Sequence, residues 1–305
     1  MSALRAAGED VSAKRPRSVF RWEGVSYGVG KGKKAKEILK APGISGSLGG
    51  GELCAILGPS GAGKTSLLNI LSNRIRSKGP FQRVSGTITL DGAKLGGARL
   101  RKRIAYVMQQ DLLCPTYTPR ESLMFSANLR LPRAMPRAEK EALVEKMLAD
   151  LGLIGCADTI VGDEMLRGIS GGEKKRTAIG IELVMQPKLV FLDEPTSGLD
   201  SFAAYSVVNK LAGLARNDGC NILTTIHQPS SEVFHLFDRI MLLGSGELVF
   251  FGSITTLSQR LTAANIGCPE NYNIADHALN LIQTAAAEGT QASIELREKL
   301  LDPIS

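Results

Sequence analysis

A glycine-rich segment carries the residues of this chain that are best suited to chemistry. Residues 58–65 read Gly-Pro-Ser-Gly-Ala-Gly-Lys-Thr and directly follow the apolar run Leu-Cys-Ala-Ile-Leu. The pattern G-x-x-x-x-G-K-[ST] after such a run predicts a strand that leads into a phosphate-binding loop. Glycines let the loop aim backbone N–H groups at phosphate oxygens, Lys64 supplies a cation for them, and Thr65 offers a hydroxyl to Mg²⁺. We therefore expect a nucleotide to bind Gly58, Pro59, Ser60, Gly61, Ala62, Gly63, Lys64, Thr65 and Ser66.

Further apolar runs end in polar residues that could complete such a site. These runs span 104–108, 188–192 and 221–226. Ligands bind at the carboxyl ends of the strands in open parallel sheets, so the residues that follow the runs should converge on the loop. Asp193 would hold Mg²⁺ through water, and Glu194 would polarise the attacking water. His227 would sense the γ-phosphate, and Gln109 would contact both Mg²⁺ and that water. Read alone, the Asp-Glu pair is more often a solvated strand end. His227 is then a surface or capping histidine, and Gln109 is a polar loop residue. The preceding phosphate loop is what favours the functional roles.

The segment 166–174 favours two interpretations. Ser170 and Glu173 have the S-x-x-E spacing of a capping box, which predicts a helix that begins there. A cap does not need Gly171 and Gly172, because glycine weakens the first turn of a helix. Two glycines at a helix start also permit close approach of the backbone to an anion. The same segment can therefore be both a helix cap and a phosphate clamp.

Apolar patterns along the chain predict an α/β fold. Strand patterns alternate with helical ones, which implies a mostly parallel sheet covered on both faces. Near the N-terminus, residues 19–27 read as a strand, and residues 86–90 read as part of a hairpin that turns at Asp91 and Gly92. Residues 137–151 show a strongly helical pattern, and the stretch from about 111 to 185 is expected to be a helical subdomain inserted between strands. We expect a disordered basic N-terminus at 1–17, one large domain at 18–285, and a helical tail or linker at 286–305.

Composition narrows the class of protein. The 305 residues are 43% hydrophobic and 22% charged, which is typical of a globular domain. Five scattered cysteines without C-x-x-C spacing predict reduced thiols in a cytosolic compartment. No apolar run approaches the roughly 18 residues needed to span a bilayer, and no signal-peptide core is present.

Most of the net charge of +7 lies near the N-terminus, where residues 1–40 hold ten Lys and Arg against four Asp and Glu. A basic run at 31–36 has the charge to contact anionic lipid or nucleic acid. No aromatic residues interleave with its lysines, so it offers no stacking platform for bases. A solvated loop is the favoured interpretation, and we expect no nucleic-acid partner.

The order of these motifs resembles an ATP-binding cassette. Beyond the residues above, the resemblance rests on 169–173, 190–194 and 197–200, which read Ile-Ser-Gly-Gly-Glu, Val-Phe-Leu-Asp-Glu and Ser-Gly-Leu-Asp. The chain looks like the nucleotide-binding domain of an ABC transporter, and it is similar to the G (White-type) subfamily at 171–183, 226–230 and 272–276. The resemblance implies a P-loop NTPase (RecA-like) fold. A mostly parallel sheet core would carry an N-terminal antiparallel β subdomain and the inserted helical subdomain.

The resemblance also implies an activity and partners. Two cassettes would face each other head to tail, as a homodimer or a heterodimer, with each ATP between the phosphate loop of one and the segment 170–173 of the other. Asp200 would join the nucleotide-binding residues, and Tyr27 falls where an aromatic ring stacks on adenine. ATP hydrolysis with Mg²⁺ at Glu194 would power a membrane domain that transports a substrate such as a lipid, sterol or xenobiotic. The cassette would lie at the cytosolic face of a membrane.

Two departures from the family pattern stand out. Gln110 occupies a position where an acidic residue is often seen, which would alter coupling more than hydrolysis. Residues 28–36 form an insertion directly after Tyr27, next to the expected adenine contact.

Other interpretations stay open at this point. A soluble cassette ATPase could act on ribosomes or DNA, although ribosomal types carry two cassettes in one chain and DNA-repair types contain long coiled coils. A non-hydrolysing binding module is a further alternative, but intact Lys64, Asp193, Glu194 and His227 argue against lost catalysis. The membrane domain could belong to the same parent chain or to a separate subunit. The sequence does not choose between an excised domain, a truncated product and a subunit.

Overall fold

A six-stranded sheet forms the centre of the protein. The computed structural model describes residues 18–31, 35–95, 103–270 and 272–301. In spatial order, the strands are β10 (Glu247–Gly252), β9 (Arg239–Gly244), β3 (Leu53–Leu57), β8 (Asn221–Thr225), β7 (Leu189–Asp193) and β6 (Ile104–Val107). Neighbouring strands are parallel except β9 and β10, which are antiparallel. The expected mostly parallel core is confirmed.

Three central strands, β3, β7 and β8, are buried at every position. Burial on both faces is why β3 and most of β7 read as apolar runs, whereas β8 also buries Asn221, Thr224 and Thr225. Successive side chains alternate between two separate cores. In β3, Leu53, Ala55 and Leu57 belong to one core, and Cys54 and Ile56 belong to the other. Because these strands are parallel, their carboxyl ends meet at one edge of the sheet.

A second, antiparallel sheet covers one face of the central sheet. Its strands are, in spatial order, β2 (Lys36–Leu48), β1 (Phe20–Val29), β4 (Gln82–Leu90) and β5 (Ala93–Lys94). Edge-to-face aromatic contacts join the sheets. The ring centroids of Phe20 and Phe191 lie 5.9 Å apart, and those of Trp22 and Phe251 lie 5.8 Å apart. The expected N-terminal antiparallel subdomain is confirmed.

Helices surround the sheets. Helix α1 (Lys64–Leu71) follows β3. Between β6 and β7 the chain forms α2 (Pro119–Arg130), α3 (Arg137–Asp150) and α4 (Gly171–Leu183), which is the stretch expected to hold an inserted helical subdomain. Helices α5 (Ser201–Asp218) and α6 (Ser231–Phe234) follow β7 and β8. Short 3₁₀ turns lie at Gly79–Phe81 and Ile154–Cys156.

The C-terminal region is helical. It contains α7 (Ile254–Ala263), α8 (Ile274–Glu288) and α9 (Thr290–Leu301), and α9 buries Leu296 and Leu300 in the main core. The boundary expected at residue 285 falls inside α8. No helix in the described ranges combines the length and the apolar character needed to cross a bilayer. The expected disordered segment 1–17 and residues 32–34 of the basic run lie outside the described residues.

Candidate active site

Two glycines of the phosphate loop occupy positions that have no room for a side chain. The loop connects β3 to α1. A Cβ on Gly58 would overlap the carbonyl oxygen of Leu243 in β9. Gly63 caps α1 with a φ of 96°, and its Cβ would lie 2.7 Å from Leu39 Cδ2. Glycine is the residue that accepts such a crowded, left-handed position, so the loop lies close against β2 and β9.

Lys64 turns back toward the loop that precedes it. Its ammonium group donates hydrogen bonds to the carbonyl oxygens of Gly58 at 2.8 Å and Pro59 at 3.1 Å. Burial lowers the pKa of Lys64, although the nearby carboxylates of Glu194 and Asp193 raise it in part. Phosphate oxygens are stronger acceptors for an ammonium group than carbonyl oxygens, because they are charged. The buried cation therefore fits a phosphate.

A cavity of about 520 Å³ opens over the loop. This volume is within the range of roughly 300–1,000 Å³ found for small-molecule sites. The loop side of the cavity is lined by Ser60, Gly61, Gly63, Lys64, Thr65 and Ser66. The other walls are formed by Lys36, Glu37, Ile38, Glu194, His227, Ser245 and Gly246. The fold thus brings together the loop, the glutamate after β7 and the histidine after β8.

The other loop residues take different places. Gly58 and Pro59 line a neighbouring cavity of about 400 Å³, which His227 also borders. Ala62 is buried in the core between the two sheets. His227 therefore lies beside both the candidate nucleotide cavity and the outer side of the loop.

Asp193, the last residue of β7, is approached by three hydroxyl groups. Thr65 and Thr225 donate hydrogen bonds from Oγ1 to Asp193 Oδ1 at 3.1 Å and 2.6 Å. The Tyr106 hydroxyl donates to Oδ2 at 3.5 Å. Burial raises the pKa of Tyr106 to about 12, and the negative charge of Asp193 adds to the shift, so the phenol keeps its proton. A carboxylate beside a threonine hydroxyl matches the hard oxygen ligands of Mg²⁺, which the substrate phosphates would complete.

Glu194 is held at its backbone and at its carboxylate. Its N–H donates to Thr225 Oγ1 at 2.9 Å, and its Oε2 accepts a hydrogen bond from Gln109 Nε2 at 2.8 Å. The φ of Glu194 is 46°, a left-handed conformation that is uncommon for residues other than glycine and that clusters at functional sites. Gln109 is not among the residues that line the cavity, so this hydrogen bond is its link to the site.

The segment 170–173 lies outside the cavity and forms the expected capping box of α4. The Ser170 side chain accepts a hydrogen bond from the Glu173 N–H, and Glu173 Oε2 accepts one from the Ser170 N–H at 2.8 Å. A Cβ on Gly172 would lie 3.1 Å from Ala203 Cβ, so Gly172 permits close packing of α4 on α5. Asp200 caps α5 by accepting a hydrogen bond from the Ala203 N–H at 2.8 Å. The segment 170–173 and Asp200 therefore lie at the N-termini of α4 and α5, outside the cavity over the phosphate loop.

Tyr27, which the family resemblance places against adenine, lies away from the cavity in this structure. Tyr27 is 7% exposed and packs in the core between the two sheets, and it does not line the cavity. Its hydroxyl accepts a hydrogen bond from Gln82 Nε2 at 3.2 Å. The ring is thus a core residue of the N-terminal sheet, and the wall of the cavity is formed by residues of β2 instead.

Several residues at the site were not identified from the sequence. Thr225 and Tyr106 contact Asp193, and Ile38 and Ser245 line the cavity. Thr225 had a signal that could have been used, because it is a hydroxyl residue at the end of an apolar run two positions before His227. Ile38 had none, since its place on the wall depends on how the two sheets pack.

Comparison with known families identifies the chain. A family profile described as ABC transporter matches residues 42–197, which is just over half of the chain. The chain belongs to the ABC transporter family. It therefore carries the ATP-binding ATPase domain of that family. A second profile, described as ABC-2 type transporter, matches residues 227–301.

Curated relatives place the cassette near the G subfamily. ABC transporter G family member 11 of Arabidopsis thaliana is 43% identical over 280 residues, which cover 90% of this chain and 37% of the relative. ABC transporter G family member 1 of the same plant is 44% identical over 268 residues, which cover 87% of this chain and 35% of the relative. The resemblance to the G subfamily is confirmed. The chain spans little more than a third of the length of these relatives.

A solved structure shares the fold of the cassette. It is the ATP-binding cassette MJ0796 in a dimeric post-hydrolysis state bound to ADP and Pi. The TM-score is 0.62 at 24% identity, and the match covers 77% of this chain and 98% of that chain. The expected P-loop NTPase architecture is confirmed by this likeness of fold.

Proposed function

We propose that this cassette hydrolyses Mg-ATP to power transport across a membrane, as the nucleotide-binding part of a G-family ABC transporter. The observation that carries the proposal is the convergence of Lys64, Thr65, Glu194 and His227 on one cavity, with Asp193 hydrogen-bonded to Thr65 behind it. The names of the G-family relatives support the role in transport. We further propose a lipid, sterol or xenobiotic as the substrate and the cytosolic face of a membrane as the location.

The chemistry follows from the positions of these side chains. Lys64 would exchange its bonds to two loop carbonyls for bonds to phosphate oxygens. Mg²⁺, held by Thr65 and Asp193 with a contact from Gln109, would neutralise phosphate charge when bound. The Glu194 carboxylate, oriented by Gln109, would accept a proton from the attacking water, and His227 would donate to the γ-phosphate. Catalysis of this kind is mainly positioning and electrostatic stabilisation.

A second cassette is needed to complete the site. Ser170, Gly171, Gly172 and Glu173 lie on a helix of the inserted lobe and do not line the cavity of their own cassette. The N-terminus of α4 can bind an anion supplied by another molecule, because its first N–H groups and the helix dipole favour negative charge. We therefore propose a head-to-tail dimer in which each Ser170 faces the partner's γ-phosphate and Asp200 lies at the same interface. The partner is a second copy or a related cassette.

The surface next to Gln109 favours contact with a membrane domain. Apolar side chains are exposed on the loop after β6 and on α2, at Met108, Leu112, Tyr117, Phe125 and Leu129. Leu112 is 75% exposed. The rings of Tyr117 and Phe125 contact each other, with centroids 6.1 Å apart. Exposed apolar surface of this kind marks interaction sites. Since this surface adjoins the loop that holds Glu194, a membrane domain seated there would be coupled to hydrolysis.

The test is sedimentation of Glu194→Gln with and without Mg-ATP. This variant keeps the size of the side chain but removes its charge, so ATP should bind without turnover and the protein should accumulate as a dimer. Adding Ser170→Arg should abolish the dimer. Ser253 caps α7 by accepting a hydrogen bond from the Thr256 N–H, so Ser253→Arg is the control for the loss of a serine cap and should leave the dimer intact. If the variant with Ser170→Arg dimerises as readily, the segment 170–173 is only a helix cap and the proposed dimer is wrong.

A further inference from the structure

Lys175 is buried beneath the loop that carries Gln109. It is 2% exposed, and it lies in the second turn of α4. Its ammonium group donates a hydrogen bond to the Gln109 carbonyl oxygen at 2.8 Å. The same group lies 2.7 Å from Asp111 Oδ1, and the Asp111 side chain is 23% exposed. Two contacts from one cation therefore fix residues 109 and 111 to the helix.

The burial of the Lys175 ammonium group requires a physical explanation. Removing a charge from water is costly unless it is paired and hydrogen-bonded, and an apolar side chain of similar volume often stabilises a fold equally well. The contacts of Lys175 are directed at a loop that has no regular secondary structure of its own. The geometry therefore indicates that Lys175 positions this loop rather than stabilising the fold as a whole.

The loop in turn holds the catalytic carboxylate. The Gln109 amide donates to Glu194 Oε2 at 2.8 Å, while the Gln109 carbonyl accepts from Lys175. We propose that Lys175 is a positioning residue for ATP hydrolysis, which anchors the loop to α4 so that the Gln109 amide stays on Glu194. The inference rests on the proposed function of Gln109 and Glu194.

The anchor also links two parts of one cassette. Ser170 caps the same helix that carries Lys175, five residues further on. In the proposed dimer, Ser170 faces the nucleotide of the partner, while Gln109 and Glu194 belong to the cassette's own site. A shift of α4 toward the partner's nucleotide would therefore move the loop. The rate of hydrolysis at Glu194 then depends on the position of α4.

The chain offers a matched pair of variants. Lys174 precedes Lys175 in α4, but its ammonium group donates to the Gly162 carbonyl oxygen at 2.9 Å, away from the Gln109 loop. Lys175→Met and Lys174→Met each remove one cation and keep a long side chain. Asp111 Oδ1 is buried, but the side chain as a whole is 23% exposed. After Lys175→Met the carboxylate can turn toward water, so the fold should persist. Asp111→Asn is the harsher change, because it leaves the buried cation uncompensated.

Activity is measured on the full chain. Lys175→Met should lower kcat about tenfold or more and leave the KM for ATP within about twofold, because it removes positioning and not binding. Lys174→Met should stay within about twofold of wild type in both constants. Lys175→Arg should recover part of kcat, since it keeps the charge. In a Gln109→Ala background, Lys175→Met should cause no further loss. A further loss of the same size would overturn the proposal.

A second measurement does not need activity. Hydrogen–deuterium exchange of nucleotide-free protein should be faster across 108–112 in Lys175→Met and unchanged in Lys174→Met, because the loop has lost its anchor. Equal exchange in Lys175→Met and wild type would overturn the proposal whatever the activity. If the wild-type chain hydrolysed no ATP, the proposed function would fail, and the exchange result would still decide whether Lys175 anchors the loop.

Discussion

Thr225 donates a hydrogen bond from its buried hydroxyl to Asp193 Oδ1 at 2.6 Å, and the two residues lie opposite each other in the parallel register of β7 and β8. The same hydroxyl accepts a hydrogen bond from the Glu194 N–H at 2.9 Å. One oxygen atom on β8 therefore orients the side chain of the proposed metal ligand and the backbone of the proposed catalytic base.

Thr225→Val keeps the shape of the side chain but removes both hydrogen bonds. Asp193 would then rotate more freely, so we expect the Mg²⁺ concentration for half-maximal hydrolysis to rise about tenfold, which equals about 1.4 kcal/mol. The free energy of unfolding should fall by about 1–3 kcal/mol, because the Glu194 N–H loses its partner. Magnesium titration of the ATPase rate checks the first effect, and urea unfolding checks the second.

Thr224 provides the control for this prediction. It is also fully buried, and its hydroxyl donates to the Thr225 carbonyl oxygen at 3.1 Å without touching a carboxylate. Thr224→Val should lower stability but leave the magnesium requirement unchanged. A normal requirement in Thr225→Val would show that Thr65 alone is sufficient to orient Asp193.

The phosphate loop gives a prediction about two glycines with different constraints. Gly58 lacks room for a Cβ, whereas Gly61 has a φ of 78°, and a Cβ there would meet no atom of the described residues within 4 Å. At Gly61 the cost of alanine is the left-handed backbone, about 1–2 kcal/mol, and asparagine tolerates that backbone better. We expect Gly61→Asn to be more stable than Gly61→Ala, and Gly58→Ala to be more stable than Gly58→Asn. Urea unfolding without nucleotide measures both pairs, and the same order at both sites would contradict the explanation.

The parts of the site that were predictable are those set by local sequence. The loop after β3 and the acidic pair after β7 follow strands that are buried on both faces, so an apolar run alone located them. The capping box of Ser170 and Glu173 is likewise a contact between residues three apart. In each case, the residues that set the structure are neighbours in sequence.

The parts that were missed depend on packing between distant segments. Strand β10 pairs with β9 across a tight turn at Ser245 and Gly246, whereas the apolar pattern predicts strands only as far as residue 243. The pairing of β1 with β2 shifts register between Trp22 and Val25 and again on each side of Tyr27. These shifts decide the face of β1 on which the Tyr27 side chain lies. Such a shift changes which face a side chain occupies, and no residue spacing reports it.

The lowered pKa of Lys64 predicts proton uptake when nucleotide binds. Burial lowers the pKa of the free protein's lysine below its ordinary value of 10.5, so part of the population is neutral in the alkaline range below that value. Phosphate oxygens favour the ammonium form, so ATP binding should raise this pKa and take up protons there. Calorimetry in two buffers with different ionisation enthalpies measures the uptake. Lys64→Arg, which stays charged, should show none, and equal uptake in both proteins would assign it to another group.

The buried position of Tyr27 predicts that its ring is not needed for ATP binding. Tyr27→Phe removes only the hydrogen bond from Gln82, so the Kd for ATP should stay within about twofold of wild type. Tyr27→Ala should lower the free energy of unfolding by about 3–5 kcal/mol, because it empties part of the core, while its folded fraction keeps the wild-type Kd. Ile38 lines the cavity, so Ile38→Ala should weaken binding and serves as the contrasting variant. Nucleotide titrations corrected for the unfolded fraction decide the matter. A tenfold higher Kd in folded Tyr27→Ala would return the ring to the site.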